Sequence, residues 1–447
     1  MANPFVSVIN LGCRVNRVES DRMERELASA GLLLVDPEEA ELIVINTCAV
    51  TGEAEAKTRK AVRHALGQAR EPLVIATGCA AALRPESLRE LSARVIVVAS
   101  KVDVAARSLD ALGYCASAPS AYRGSCSGVL QRRARVGVKI QDGCNNRCTY
   151  CIVWKARGPE RSVPVEAVLE EVRAALDEGL PEVVLTGVNL GAYDGEGPRD
   201  AHVEIDELVD TILRETAVPH IRLSSIEPMD VSDRLIACVA ASGGRVAPFF
   251  HLPVQSGCTR TLERMGRPYT AAEFEGLCHR IRAALPSASL SCDLIVGFPG
   301  ETDEEFEESL ALCERVGFSR MHVFRYSARP GTPAASMPHQ VPPEVMAARS
   351  HRARELAARL AQQDVEARIG TVERAVIEEG CRGTLASFHR VEVSGLEEAG
   401  IAAPAIVDVA IMDVGASGLV RAQVMRAGNC GKACEAAATC DSRCLEG

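Results

Sequence analysis

The sequence predicts an α/β protein with a doubly wound parallel-sheet domain at its N-terminus, a central incomplete (β/α)6 barrel and a small C-terminal β-barrel. Three observations carry that prediction. Up to about residue 110, short apolar runs alternate with helical segments; six further strand candidates then alternate with helices; beyond Gly370 only short β-like runs remain. A length of 447 residues agrees with about three domains, and 47% apolar against 25% charged residues leaves enough material for several cores.

The first domain is expected over residues 1–115. Its runs "FVSVINLG", "ELIVINTC", "PLVIATGC" and "RVIVVAS" read as parallel strands, separated by the helical "VESDRMERELASAG", "EAEAKTRKAVRHALGQA" and "PESLRELS". A cysteine follows each of the first three strands: Cys13, Cys48 and Cys79. Ligands of open α/β sheets sit beyond the carboxyl ends of strands, so these three can converge at one edge. The small, polar stretch "ASAPSAYRGSCSG" reads as a linker.

The second domain, 130–362, offers the strands "VGVKIQ", "EVVLTGV", "HIRLSSI", "PFFHLPV", "LSCDLIVGF" and "RMHVFRY", and the long helix "PEVMAARSHRARELAARLAQQDVEARIG" closes it. Polar or glycine residues at the strand ends put its site at the C-terminal rim. Residues 366–427 carry "TVERAVIEE", "FHRVEVSG", "AIVDVAIMDVG" and "LVRAQVMRAG", which suit a small β-barrel. Residues 428–447 form a tail in which Cys430, Cys434, Cys440 and Cys444 are spaced C-x3-C-x5-C-x3-C; a four-thiolate site and free thiols are both open readings.

No run reaches the roughly 18 apolar residues of a membrane span, and the N-terminus has no basic segment leading into a long apolar one, so a cytoplasmic chain without a membrane partner is expected. In that reducing compartment, clustered thiols among the 18 cysteines read as metal ligands or catalytic groups. A net charge of −10 argues against a globally basic nucleic-acid binder. Two local patches remain: Lys57, Arg59, Lys60 and Arg63 with His64, and Arg132, Arg133 and Arg135, which continue through Lys139, Arg147, Lys155, Arg157 and Arg161. Taken alone they suit phosphate contact and solvated surface equally.

The chemistry concentrates in "GCNNRCTYC", which sets Cys144, Cys148 and Cys151 at C-x3-C-x2-C directly after a strand candidate. Closed zinc and 4Fe–4S sites take four protein ligands, so three thiols imply either a remote fourth ligand or an iron left open for a small molecule. This spacing after the first strand of a β/α barrel resembles the radical S-adenosylmethionine (SAM) enzymes, in which reductive cleavage of iron-bound SAM gives a 5′-deoxyadenosyl radical. The likeness narrows further. "QDGCNNRCTYCIVWKARGPERSVP", "VVLTGVNLGAYD", "RLSSIEP", "LPVQSGCTRTLERMGRPYT", "DLIVGFPGETDEEF" and "HVFRYSARPGTPAA" are similar to the methylthiotransferase core, and "NLGCRVNRVES", "INTCAVTGEAEAKTR" and "TGCAA" to that family's second cluster-binding domain. The chain departs from the pattern at Trp154, Lys155 and Ala82.

The resemblance implies two 4Fe–4S clusters, one on Cys144, Cys148 and Cys151 for SAM cleavage, the other on Cys13, Cys48 and Cys79 for the sulfur that is inserted. Within the family, "CAVTGEAEAKTRKAVR", "VKIQDGCNNRCTYC" and "GVNLGAYD" look most like the branch acting on C2 of threonylcarbamoyl-adenosine next to the tRNA anticodon. Partners so implied are the anticodon stem-loop, a reducing electron donor and a sulfur source. Rim position and resemblance together make Gly187, Asn189, Ser225, Glu227, Gln255 and Gly297 candidate SAM contacts, with turn or packing roles as the alternative. The C-terminal module resembles the RNA-binding TRAM domain, with Arg374, Arg382 and Arg390 as backbone contacts and Phe388 as a stacking or a core residue. His251 and Asp293 also read as core polar groups. Rival readings are methylthiolation of isopentenyl-adenosine or of a ribosomal-protein aspartate, and, in another class, an iron–sulfur electron carrier or redox sensor.

Overall fold

The computed structural model describes residues 3–114, 134–197, 201–415 and 418–425. Arg132, Arg133 and the four tail cysteines lie outside them. The N-terminal unit is a parallel sheet of β1 (Phe5–Asn10), β2 (Leu33–Leu34), β3 (Leu42–Thr47), β4 (Leu73–Gly78) and β5 (Val95–Val97) in the order β2-β1-β3-β4-β5. Helix α1 (Arg14–Ser29) covers one face with Met23 and Leu27; α2 (Gly52–Leu66) covers the other with Val62 and Ala65. The strand order reverses between β1 and β3, and ligands of such sheets bind in that crevice. Cys13 and Cys48 leave from its two lips.

Six parallel strands form the central unit: β6 (Arg135–Lys139), β7 (Glu182–Thr186) and β8 (His220–Leu223) in one ladder, and β9 (Phe249–His251), β10 (Ser289–Val296) and β11 (Arg320–Arg325) in the next. Bridges Ile221–Val246 and Ser225–His251 join the two into an open half barrel. Val138, Val183, Leu185 and Ile221 point outward into a core shared with the covering helices, so Gly137, Val184 and Arg222, on the opposite side of their strands, line the interior. The expected helices are present; α3 (Asp303–Val316), for example, starts on a capping box of Thr302 and Glu305, and the long α4 spans Pro343–Glu366.

The C-terminal unit is a closed barrel of β12 (Val372–Glu379), β13 (Arg382–Leu385), β14 (Arg390–Ser394), β15 (Ala405–Val414) and β16 (Val420–Val424). Sequence pattern missed β13, a short run around Gly383, where a Cβ would lie 2.3 Å from the Val376 carbonyl oxygen. Fully buried Arg222 ties this barrel to the half barrel, its Nε on Glu182 at 2.9 Å and its other nitrogens on the carbonyls of Ala386 and Leu385. Among the described residues no helix is long and apolar enough to cross a membrane.

The N-terminal and central units meet through a buried ion network. Glu19 of α1 accepts hydrogen bonds from Arg157 at 2.9 Å and Lys139 at 2.7 Å and also pairs with Lys101. Arg157 further reaches Asp142 at 2.9 Å and Asn16 at 2.7 Å. Burial pushes the Glu19 carboxyl up, but the hydrogen bond and charge of Arg157, with Lys101 and Lys139, outweigh it and hold the group at about 2, below its ordinary 4.5. A depressed carboxyl stabilises the fold fully above about pH 4.5, and that contribution is lost as pH falls toward 2. A shift of this size corresponds to about 3 kcal/mol. Glu19→Gln is therefore expected to be less stable than the parent by about 3 kcal/mol between pH 5 and 8, with the gap closing in denaturant titrations taken below pH 4.5. A gap independent of pH would contradict the assignment.

Candidate active site

Each cysteine set is built by strand ends. Gly12, at φ +103°, turns the chain after β1 so tightly that a Cβ there would sit 2.8 Å from the Cys48 sulfur. Cys79 opens the short helix Cys79–Leu83 after β4. Cys48 and Cys79 are buried and Cys13 is exposed. Burial raises the Cys48 thiol, and Cys79 and Cys13 lie near enough to raise it further. The second set follows β6: Cys148 is buried, with Cys144 and Cys151 half-buried. Burial pushes Cys151 up to about 12, and Cys148 and Cys144 add to it.

The loop of the second set is shaped by three residues that sequence reasoning passed over. Gln141, fully buried, accepts from the backbone amides of Val188 and Asn189 at 3.0 and 2.9 Å and donates to the Gly143 carbonyl, locking the end of β6 to the end of β7. A Cβ on Gly143 would fall 1.9 Å from the Pro159 carbonyl oxygen, so only glycine closes this loop. Arg267 donates to the Cys148 sulfur at 3.2 Å and to Tyr269, and it pairs with Glu227. Arg267 stands in the quoted "LPVQSGCTRTLERMGRPYT", where nothing sets it apart from Arg260 and Arg264 until the fold brings it against the thiols.

The two sets face each other. The helix Val153–Arg157, just after Cys151, packs against the helix that begins at Cys79, and alanines at 49, 80 and 156 keep the gap small. Arg157 lies between them; burial disfavours its charge, but the hydrogen bond and charge of Glu19, with Cys79 adding to them, outweigh it. A second tie joins the units nearby: Glu55 pairs with Arg329, and the Gly52 amide donates to Ser327 at 3.2 Å. A groove of about 840 Å³ lined by Cys79, Lys101, Lys139, Asp142 and Arg157 opens along this junction.

Three thiols on one loop fit a 4Fe–4S cluster with one iron left open; the N-terminal three come from three separate strand ends. Among the described residues no three His, Cys, Asp or Glu side chains are spaced for a single metal ion; the thiolates of a cubane bind separate irons and do not need that spacing. The rim also carries buried polar atoms without a protein partner, namely Asn146 Nδ2, Asn189 Oδ1 and Ser224 Oγ, as a site for a polar small molecule requires.

The expected SAM contacts divide. Gly187 and Asn189 are buried on the rim beside Gln141. Glu227 is half-buried and adds its charge near Cys144. Ser225 bridges to His251, and Gln255, at φ +63°, bridges to Leu294, so both sit where strands meet. Gly297 is a turn instead: its amide donates to Glu301 at 2.7 Å, and Met346 of α4 occupies the space over its Cα. His251 holds Ser291 at 2.8 Å and Asp293 at 3.3 Å, the structural role expected for it. Trp154 is overlaid by Arg147 at 4.2 Å.

Of the expected RNA contacts, Lys57, Arg59, Lys60 and Arg63 are all exposed on α2, and Lys57 pairs with Glu53 at 2.8 Å. Arg382 and Arg390 are exposed on the small barrel, the latter pairing with Glu378 at 3.0 Å. Two expectations need correction. Arg135 pairs with Glu182 at 3.0 Å and Glu378 at 2.7 Å, and Arg374 donates to the Gly244 carbonyl at 2.9 Å; both hold units together rather than face outward. Phe388 turns inward as well, its ring 4.9 Å from Phe249.

Sequence models of two families match the chain, the radical SAM superfamily over residues 138–313 and the uncharacterized protein family UPF0004 over residues 6–100. The chain is 36% identical over 344 residues to the threonylcarbamoyladenosine tRNA methylthiotransferase MtaB of Thermotoga maritima, covering 75% of this chain and 78% of that protein. It is 35% identical over 370 residues to the protein of the same name in Bacillus subtilis, covering 80% and 81%. It is also 36% identical over 362 residues to the tRNA-2-methylthio-N(6)-dimethylallyladenosine synthase of Novosphingobium aromaticivorans, covering 77% and 80%. Among solved structures, the radical SAM methyltransferase TsrM of Kitasatospora setae shares the fold at TM-score 0.55 and 14% identity over 75% of this chain and 77% of that one. With two cysteine sets brought together where the N-terminal unit meets the half barrel, and relatives of these names over most of its length, the chain belongs to the radical SAM methylthiotransferase family.

Proposed function

We propose that this enzyme methylthiolates C2 of N6-threonylcarbamoyl-adenosine next to the anticodon of tRNA. The observation that carries the reading is the facing of the two three-cysteine sets across the Glu19–Arg157 junction, since C–H replacement by a sulfur group needs a hydrogen-abstracting centre and a sulfur-presenting centre within reach of one carbon. Adenine C2–H has no acidity that a side-chain base can use at neutral pH. When bound, a cluster and SAM on Cys144, Cys148 and Cys151 supply the one-electron chemistry; Cys13, Cys48 and Cys79 hold a second 4Fe–4S cluster for the sulfur.

The chain's own residues position these groups. Arg267 keeps Cys148 and Glu227 in one arrangement, Gln141 fixes the rim loops, and Asn189 and Ser224 present unpartnered polar atoms toward a ligand. The domain assignments follow from this reading: residues 1–115 for the sulfur site, 130–362 for the radical site and 366–427 for RNA. The α2 patch, anchored beside Cys48, contacts tRNA phosphates, and a cytoplasmic location with a cellular reductant and sulfur source accompanies a tRNA substrate. A second reading, dimethylallyl-adenosine as the substrate, is favoured by relatives of that name such as the Novosphingobium protein.

Mass spectrometry of tRNA nucleosides with and without the gene decides between the two: loss of 2-methylthio-threonylcarbamoyl-adenosine is expected, and loss of only the dimethylallyl product overturns the proposal. With reconstituted protein, Cys144→Ala is expected to abolish SAM cleavage. Cys48→Ala should keep about half the iron of two like clusters and still cleave SAM, but make no methylthio product. Normal product from the latter variant contradicts a sulfur role for the N-terminal set. Replacing Lys57, Arg59 and Lys60 together by alanine should weaken tRNA binding and reduce the slope of log K against log salt by about two to three; an unchanged slope places the RNA elsewhere.

A further inference from the structure

Arginine density inside the half barrel is out of proportion to the acids there. A cavity of about 240 Å³ lies between α1, the interior of β6 to β8 and the small barrel, its lining including Arg14, Arg17, Asp21, Arg135, Arg222, Thr186 and Phe388. Four of the five cations around it have partners: Arg17 with Asp21, Arg135 with Glu182 and Glu378, Arg222 with Glu182 and two carbonyls, and Arg320 with the Phe388 carbonyl. Arg14 is different. Its guanidinium lies 5.2 Å from the Phe388 ring, which Arg222 and Arg320 also approach, and among the described residues no carboxylate or carbonyl bonds to it.

Arg14 is an exposed residue on the open side of the cavity. An arginine among like charges that no acid bonds directly can take an anion. The wall holds a second unpaired group, the buried Thr186 hydroxyl. Phe388, at φ +73°, presents a ring that stacks the guanidinium and leaves its edge nitrogens free. Arg14 also follows Cys13 directly in the chain, at the start of α1.

We propose that Arg14, with Thr186, binds the carboxylate of the threonylcarbamoyl substituent and so selects this nucleoside over adenosines carrying an apolar N6 group. The inference rests on the substrate reading above and assigns its recognition to one side chain. A dimethylallyl group has no charge to offer Arg14, and leaving the guanidinium unpaired against it disfavours that substrate.

The test uses holoenzyme and two anticodon stem-loops, one with N6-threonylcarbamoyl-adenosine and one with its neutral carboxamide. The parent is expected to prefer the acid by about tenfold to a hundredfold in kcat/KM, the range of a charge-assisted hydrogen bond. In Arg14→Gln that ratio should collapse toward one, and Arg14→Lys should keep part of it; iron content verifies that both variants are loaded. A parental ratio in Arg14→Gln overturns the inference, as does an equal fall on both stem-loops, which marks a phosphate contact. If the parent modifies neither stem-loop, the substrate reading fails, and binding of free N6-threonylcarbamoyl-adenosine against its carboxamide decides Arg14 by calorimetry: equal affinities overturn the inference, and a preference for the acid that Arg14→Gln loses supports it.

Discussion

The Glu19–Arg157 pair is the contact on which the active site depends. Both side chains are less than a tenth exposed, so bringing them out of water is costly, and an isolated pair would barely repay it. The network meets that cost by multiplication: Lys139, Lys101, Asp142 and Asn16 satisfy the remaining donors and acceptors from two units at once. Because Asn16 also donates to the carbonyls of Leu11 and Thr47, the network grips the backbone leading into both Cys13 and Cys48. Arg157, six residues after Cys151, grips the other set. A displacement of one unit against the other would leave several buried charges unpaired, so the spacing of the two cysteine sets is held by electrostatic necessity.

The same logic shapes the lower half barrel. An open array of six strands leaves its interior uncovered, and the molecule closes it with two elements from outside, α1 and the turn around Phe388. Glu182 is the pivot, reached by Arg135, Arg222 and His220; burial raises its carboxyl, but Arg222 and its neighbours prevail and hold it at about 2. Charged residues are thus packed where a complete barrel would place layers of aliphatic side chains. Polar walls suit a lumen that admits a nucleoside, and Arg222 ties the small barrel to its edge.

The catalytic rim shows a division between scaffolding and reactivity. Gly297 is held by Glu301, which Arg349 bonds at 2.7 Å, and it serves the turn that seats α4. Gly187 and Asn189 instead meet Gln141, which also bonds the Gly143 carbonyl next to Cys144. Rim position alone does not separate these roles, because every strand end of a β/α array needs a turn and only some of those turns face the ligand.

Much of the architecture was legible without coordinates. Strand periodicity and helix caps are local properties, so the parallel sheet, the six strands, α4 and most of the small barrel followed from pattern, and the two cysteine sets followed from spacing and strand ends. Short elements such as β13 carried too little periodicity to read. What the chain could not disclose were partnerships between residues far apart in sequence: Glu19 with Arg157, Arg267 with Cys148, Arg222 with the carbonyls of the small barrel. Arg135 and Arg374 looked like phosphate contacts because an arginine in sequence carries no mark of which way it faces. Chemistry was thus written in residue type and local spacing, whereas the assignment of each charge to a partner, a ligand or solvent was decided by tertiary packing, since burial and the distance between charges exist only once the units are brought together.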